Sequence, residues 1–133
     1  MAKSGFSVSQ RRKVEVISAD GHVIKAHDCG THFVVNDLGG GGNTITLPSI
    51  AQAGSGWHCR LTLAASQTSD TSVAATGTPS IVANIIDVEA DGAAGITLAG
   101  GNTMVFEAVG AAGDSIDFQY LNGVIYATAR SAT

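Results

Sequence analysis

The chain has 133 residues, a formal net charge of −4 and only 14% charged residues. That length fits one ordinary domain with its own core and leaves no room for a second. The mild acidity excludes general nucleic-acid binding, which needs clustered Lys and Arg, and no run approaches the roughly 18 apolar residues of a membrane span.

An average globular domain carries about 25% charged residues, so this surface has to be covered largely by Ser, Thr, Asn, Gly and Ala. Such a surface suits a protein partly covered by neighbours, or one working outside the cell. No apolar run of signal-peptide length follows Met1, so synthesis and assembly in a cytoplasm are expected.

Residues 1 to 12 lack alternation and read as an extended N-terminal arm, with Phe6 and Val8 as its apolar contacts and Arg11, Arg12 and Lys13 as the one basic cluster. Residues 13 to 133 read as a single β domain. Its 17 glycines are spread between short β-rich runs, the punctuation of many strands joined by turns. Lys13 to Ser18 is a first strand, and Asp20-Gly21 predicts a tight hairpin turn into Val23 to Ala26. Thr31 to Asn36 follows, then the glycine run 39 to 42, read as a flexible loop, then Asn43 to Leu47 with Ile45 and Leu47 on one face. Pro48 to Gly54 could hold one short helical turn, with proline near its start and glycine past its end.

Trp57 to Leu63 is the clearest strand: Trp57, Cys59, Leu61 and Leu63 face the core, and His58, Arg60 and Thr62 face away. Ala64 to Ser80 could be a loop or a weak edge strand. Ile81 to Val88 is apolar on both faces, which predicts either a central strand or one covered by a neighbouring subunit. Gly95 to Leu98, Thr103 to Val109 and Ser115 to Leu121 are further strands, and Asn122-Gly123 turns the last into Val124 to Ala129, the strongest hairpin signal in the chain. In that hairpin one face is core. The other carries Leu121, Val124 and Tyr126, too apolar to be wholly solvated, so these three are expected to meet another chain or to lie under a second sheet of the same domain. The fold expected is all-β, a single antiparallel sandwich or barrel of jelly-roll-like type.

Motifs for chemistry are weak. His27, Asp28, Cys29, His32 and His58 offer zinc donors without the paired spacing of a zinc site, and the plainer reading puts Cys29 in the core. A disulfide between Cys29 and Cys59 is possible by count, but reduced thiols fit a cytoplasmic origin. Asp87, Glu89 and Asp91 with Gly92 resemble the opening of a calcium loop, but Leu98 stands where the bidentate carboxylate belongs, so an acidic patch is expected. The serine-nucleophile motif is missing at Ala53-Gly54-Ser55-Gly56, and the glycine run lacks the Lys-Ser of a phosphate loop. Neither an enzyme nor a cofactor is expected.

Thr31-His32-Phe33-Val34-Val35-Asn36, Asn43-Thr44-Ile45-Thr46-Leu47-Pro48 and Ala53 to Leu63, with the closing hairpin Ser115 to Ala129, resemble a recurring module of tailed-bacteriophage particle proteins. The resemblance runs from about Ala19 to Ala129 and is a pattern of structure more than of chemistry. Where such a module forms nearly the whole chain it is similar to the capsid decoration, or cement, proteins. That likeness implies a homotrimer on the capsid exterior of the virion with the major capsid protein as partner. Phe6, Arg11, Arg12 and Lys13 would then reach an acidic coat surface, a free N-terminal tail being the alternative. The other expectation is a head-fibre or tail-fibre appendage binding host receptor or glycan, which the 5% aromatic content disfavours. The chain departs from the module at Val124-Ile125-Tyr126, where the closing hairpin often carries Trp-Tyr.

Overall fold

The computed structural model describes residues 11–88 and 94–132. Phe6 of the arm, and Glu89 and Asp91 of the acidic run, lie outside the described residues. Among the described residues, eleven strands run in chain order: β1 (Val14–Ile17), β2 (His22–Val23), β3 (His32–Val35), β4 (Asn43–Leu47), β5 (His58–Leu63), β6 (Thr71–Ala75), β7 (Ile81–Asp87), β8 (Ile96–Ala99), β9 (Thr103–Phe106), β10 (Ser115–Leu121) and β11 (Val124–Ser131). A 3-10 turn (Ala26–Asp28) precedes β3, and one short helix, α1 (Ile50–Ala53), precedes β5.

The strands form an all-β sandwich. A six-stranded sheet runs β1-β3-β5-β10-β11-β7 and a five-stranded sheet runs β2-β4-β6-β9-β8. Pairing is mixed, which corrects the antiparallel, jelly-roll-like expectation. From β1 to β6 the chain changes sheet at every strand, so each strand pairs in parallel with the one laid down two elements earlier. Parallel neighbours need a long crossover, and here the crossover is a strand of the opposite sheet rather than a helix. After β7 the chain makes two antiparallel hairpins, β8-β9 and β10-β11.

Asp20-Gly21 shows why turn chemistry misled. Gly21 takes a positive φ of 81° as expected, but the turn is a corner between sheets. Asp20 Oδ1 accepts from Thr44 N at 2.8 Å and Gly21 N donates to Thr44 O at 3.0 Å, docking the corner onto β4. The hairpin at Asn122-Gly123 forms as read: φ is 50° and 78°, and Leu121 pairs with Val124. Helix α1 starts on a reciprocal cap, Ser49 Oγ accepting from Gln52 N at 3.1 Å and Gln52 Oε1 accepting from Ser49 N at 3.4 Å.

The core lies between the sheets and is built by alternation. Phe33, Leu61, Ile116 and Ala129 form one cross-strand row, facing Ile45, Val73 and Met104 of the other sheet. Trp57 packs against Tyr120 with the rings tilted at 59° and their centroids 4.9 Å apart. Both polar tips are satisfied: Trp57 Nε1 donates to Ala26 O at 2.8 Å and Tyr120 Oη donates to Pro48 O at 2.7 Å. The stretch 64 to 80 contains a buried strand, β6, inside the five-stranded sheet. The glycine run is tied down rather than loose, since Gln67 is buried and bridges Leu38 N and Asn36 O, and Gly41 N donates to Ser69 Oγ. Cys29 is exposed, correcting its placement in the core: positive φ at Gly30 (80°) lets the chain turn beneath the His58 ring, which leaves Cys29 outside.

Candidate interaction surface

Register fixes what lies on the outer face of the six-stranded sheet. One cross-strand row reads Val14, His32, Arg60, Asp117, Thr128 and Asn84, from β1 across to β7. The next reads Val16, Val34, Thr62, Ser115, Arg130 and Ile86. A third, shorter row is His58, Gln119, Tyr126 and Val82. The centre of the face is therefore polar, and both edges are apolar. Val14 is 62% exposed, Val16 55%, Val82 55% and Ile86 45%, exposures that single scattered residues reach but that here mark both rims of one surface.

Strand β7 explains part of this. It is an edge strand, neither central nor covered among the described residues, so its two apolar faces stay in contact with solvent from Val82 onward. The hairpin tip adds Leu121 at 44% and Tyr126 at 42%, with Val124 half-buried. The second sheet packs on the opposite, inner face and does not cover these three residues.

At the centre, Arg60 and Asp117 form a two-pronged ion pair, Nε to Oδ1 at 2.6 Å and Nη2 to Oδ2 at 3.0 Å. Asp117 raises the Arg60 pKa, chiefly through these hydrogen bonds. Beside it His32 Nε2 lies 2.7 Å from Thr62 Oγ1, and burial, then Arg60 and Arg12, hold the imidazole below its usual pKa. A shallow cavity of about 270 Å³ opens here, lined by Arg12, His58, Arg60, Asp117, Gln119 and Tyr126 among others. Arg12 from the arm and Tyr126 from the hairpin thus share one depression, although the sequence assigned them to separate features. Lys13 is drawn the other way, 3.9 Å from both Glu15 and Asp28, and Arg11 is exposed at a bend in the chain.

Alternation alone leaves the outward phase of β1 and β7 open, and for that reason Val14, Val16, Val82 and Ile86 were not legible as surface residues. His58, Arg60, Asp117 and Gln119 were legible as outward-facing, but nothing in spacing gathers them into one depression.

The candidate zinc donors do not converge. Asp28 is buried and accepts from Lys25 N at 2.9 Å, His27 lies 3.7 Å from it, His32 is engaged with Thr62, and Cys29 faces solvent. Among the described residues no three His, Cys, Asp or Glu side chains are grouped to hold a metal ion. Both cysteines are free, and burial pushes the Cys59 thiol pKa far up. No described helix is long and apolar enough to cross a membrane. A face of this kind presents an ion pair, hydrogen-bonding side chains and exposed apolar rims on one surface. Comparison with protein families, curated proteins and solved structures found no match.

Proposed function

We propose that the chain is a non-enzymatic virion structural protein of a tailed bacteriophage, a decoration protein that sits as a trimer on the outer capsid surface and binds the major capsid protein. The observation that carries this reading is the outer face of the six-stranded sheet, solvent-exposed, apolar at both rims and polar at its centre. The likeness of the strand modules to decoration proteins and the low charge of the surface support it. Tyr126 and Arg60 are residue types that dominate binding energy at protein interfaces when desolvated. The mechanism is physical. A trimer engages several coat subunits at once, so dissociation is slow even where each contact is weak. Binding the mature shell and not its disrupted state stabilises the shell by linkage.

Co-sedimentation of the purified protein with expanded and unexpanded capsid shells tests the reading. Binding to expanded shells alone supports cement. Binding to cells or sugars but not to shells would replace it with a fibre or receptor-binding appendage.

A further inference from the structure

Two guanidinium groups, those of Arg12 and Arg60, line the depression on the outer face with a single carboxylate, that of Asp117. With the histidines neutral the depression therefore carries one surplus positive charge, in a chain whose net charge is −4. His32 beside it senses that field: after burial, Arg60 and then Arg12 hold its pKa down, and Asp117 offsets them only in part.

Arg60 is half used. Asp117 takes its Nε and Nη2, and Nη1 has no hydrogen-bond partner among the described residues. The two-pronged pair holds the guanidinium plane in one orientation, so the remaining N–H groups are presented to a partner at little further cost in entropy. The side chains of His58, Gln119, Tyr126 and Thr128 line the same depression, and none of them hydrogen-bonds to another described residue.

We propose that this depression receives the carboxylate of an Asp or Glu side chain of a partner protein, with Arg12 and the unused edge of Arg60 as its cationic contacts. Size, charge and surroundings select that class of ligand. A cavity of about 270 Å³ holds one side chain and falls below the roughly 300–1,000 Å³ of pockets that enclose a whole small molecule. One surplus positive charge matches a monoanion, whereas a phosphate group, nearly doubly charged at neutral pH, would meet Asp117 with too little to offset the repulsion. The row through His58, Gln119 and Tyr126 runs on to Val82, 55% exposed, and the hairpin tip adds Leu121 at 44%. An acid flanked by apolar residues on its own chain would cover these, and a sugar acid has none to offer. Their burial excludes water from the ion pair and strengthens it.

This site deepens the reading above, and rests on it in taking the coat as the source of the acid. Titration of the isotope-labelled full chain with acetyl-Val-Glu-Val-amide, followed by NMR, tests the site without shells. The signals of Arg60 Nε, His58 and Tyr126 are expected to move. The Gln counterpart of the peptide, and separately the exposed change Arg12→Gln, should each weaken binding by about fivefold, and Lys25→Gln, which removes the same charge outside the depression, by less than about twofold. Unmoved signals, equal binding of the two peptides, or equal losses from R12Q and K25Q would overturn the site. Stronger displacement of the same signals by glucuronate or inorganic phosphate would overturn the choice of a protein acid. In co-sedimentation with expanded shells, R12Q is expected to lose occupancy and K25Q to keep it. Unchanged occupancy of R12Q would overturn the contact and leave the decoration reading standing, whereas a wild type that binds the Glu peptide and no shells would overturn that reading and leave the site.

Discussion

Replacing Tyr120 by Phe removes one oxygen from the centre of the sandwich and leaves the ring in place. Tyr120 is 1% exposed, its hydroxyl is 2.7 Å from Pro48 O, and Pro48 is itself buried. The contact with Trp57 survives the change. What is lost is one hydrogen bond, together with the solvation of a carbonyl left buried without it, which costs about 1–3 kcal/mol. For a chain of this size that is a fall in Tm of roughly 4–11 °C. Tyr126→Phe serves as the control: at 42% exposure on the outer face it should move stability by no more than about 0.5 kcal/mol. Thermal and urea unfolding followed by circular dichroism read both. Burial also holds the Tyr120 phenol pKa above its ordinary value. The unfolded chain ionises first, near pH 10, so above that pH the folded state binds more protons and stability falls as pH rises. Below pH 10 this contribution is fully present. The Phe variant lacks that slope, so its deficit should narrow as pH climbs past about 10. A neutral Y120F, or a Y126F that costs more, would refute the assignment of the two faces.

Gly95→Ala should destabilise by about 1–3 kcal/mol or more, because its Cβ would overlap Ser131 Oγ and press on Asp114 Oδ2 in a buried hydrogen-bonded cluster; urea midpoints check this. Cys29 should react with a thiol reagent at once and Cys59 only on unfolding, which mass spectrometry of the labelled peptides resolves. The lowered pKa of His32 means that the unfolded state takes its proton first, so the contribution of His32 to stability is present above about pH 6.5 and lost as pH falls through the folded value. Arg60→Ala should move the His32 titration upward by NMR, since it removes a repelling cation and leaves Asp117 unpaired. Its cost in stability should stay below about 1 kcal/mol, because the pair is substantially exposed (42% and 36%).

Local signals that depend only on near neighbours were legible in the sequence. Asn122-Gly123 demands positive φ and forms its hairpin, Pro48 and Gly54 bracket the short helix α1, and the alternation of Trp57 to Leu63 and of Ser115 to Leu121 sorts core from surface correctly. Partner choice was not legible. Asp20-Gly21 carries the same turn chemistry whether the chain doubles back or crosses to another sheet, and only the seat that Thr44 provides decides it. The buried β6 reads as small and polar because Thr71, Val73 and Ala75 face a core already filled by larger neighbours. Ile81 to Val88 is apolar on both faces, which periodicity reads as either a central strand or one covered by a neighbouring subunit; the central alternative fails because β11 pairs β7 on one side only and β7 ends the sheet. The outer face is legible in pieces, as Arg12, Arg60 and Tyr126, and becomes one surface through the registers of β5, β10 and β11.

The central claim is that this outer face is the surface through which the protein contacts the shell. Hydroxyl-radical footprinting of the free and shell-bound protein, read by mass spectrometry, tests it most directly. The account predicts that His58, Leu121 and Tyr126 lose reactivity on binding, while Val23 and Val109, exposed elsewhere on the molecule, keep theirs. Unchanged labelling of His58 and Tyr126 in protein bound to shells, with protection of Val23 or Val109 instead, would contradict it.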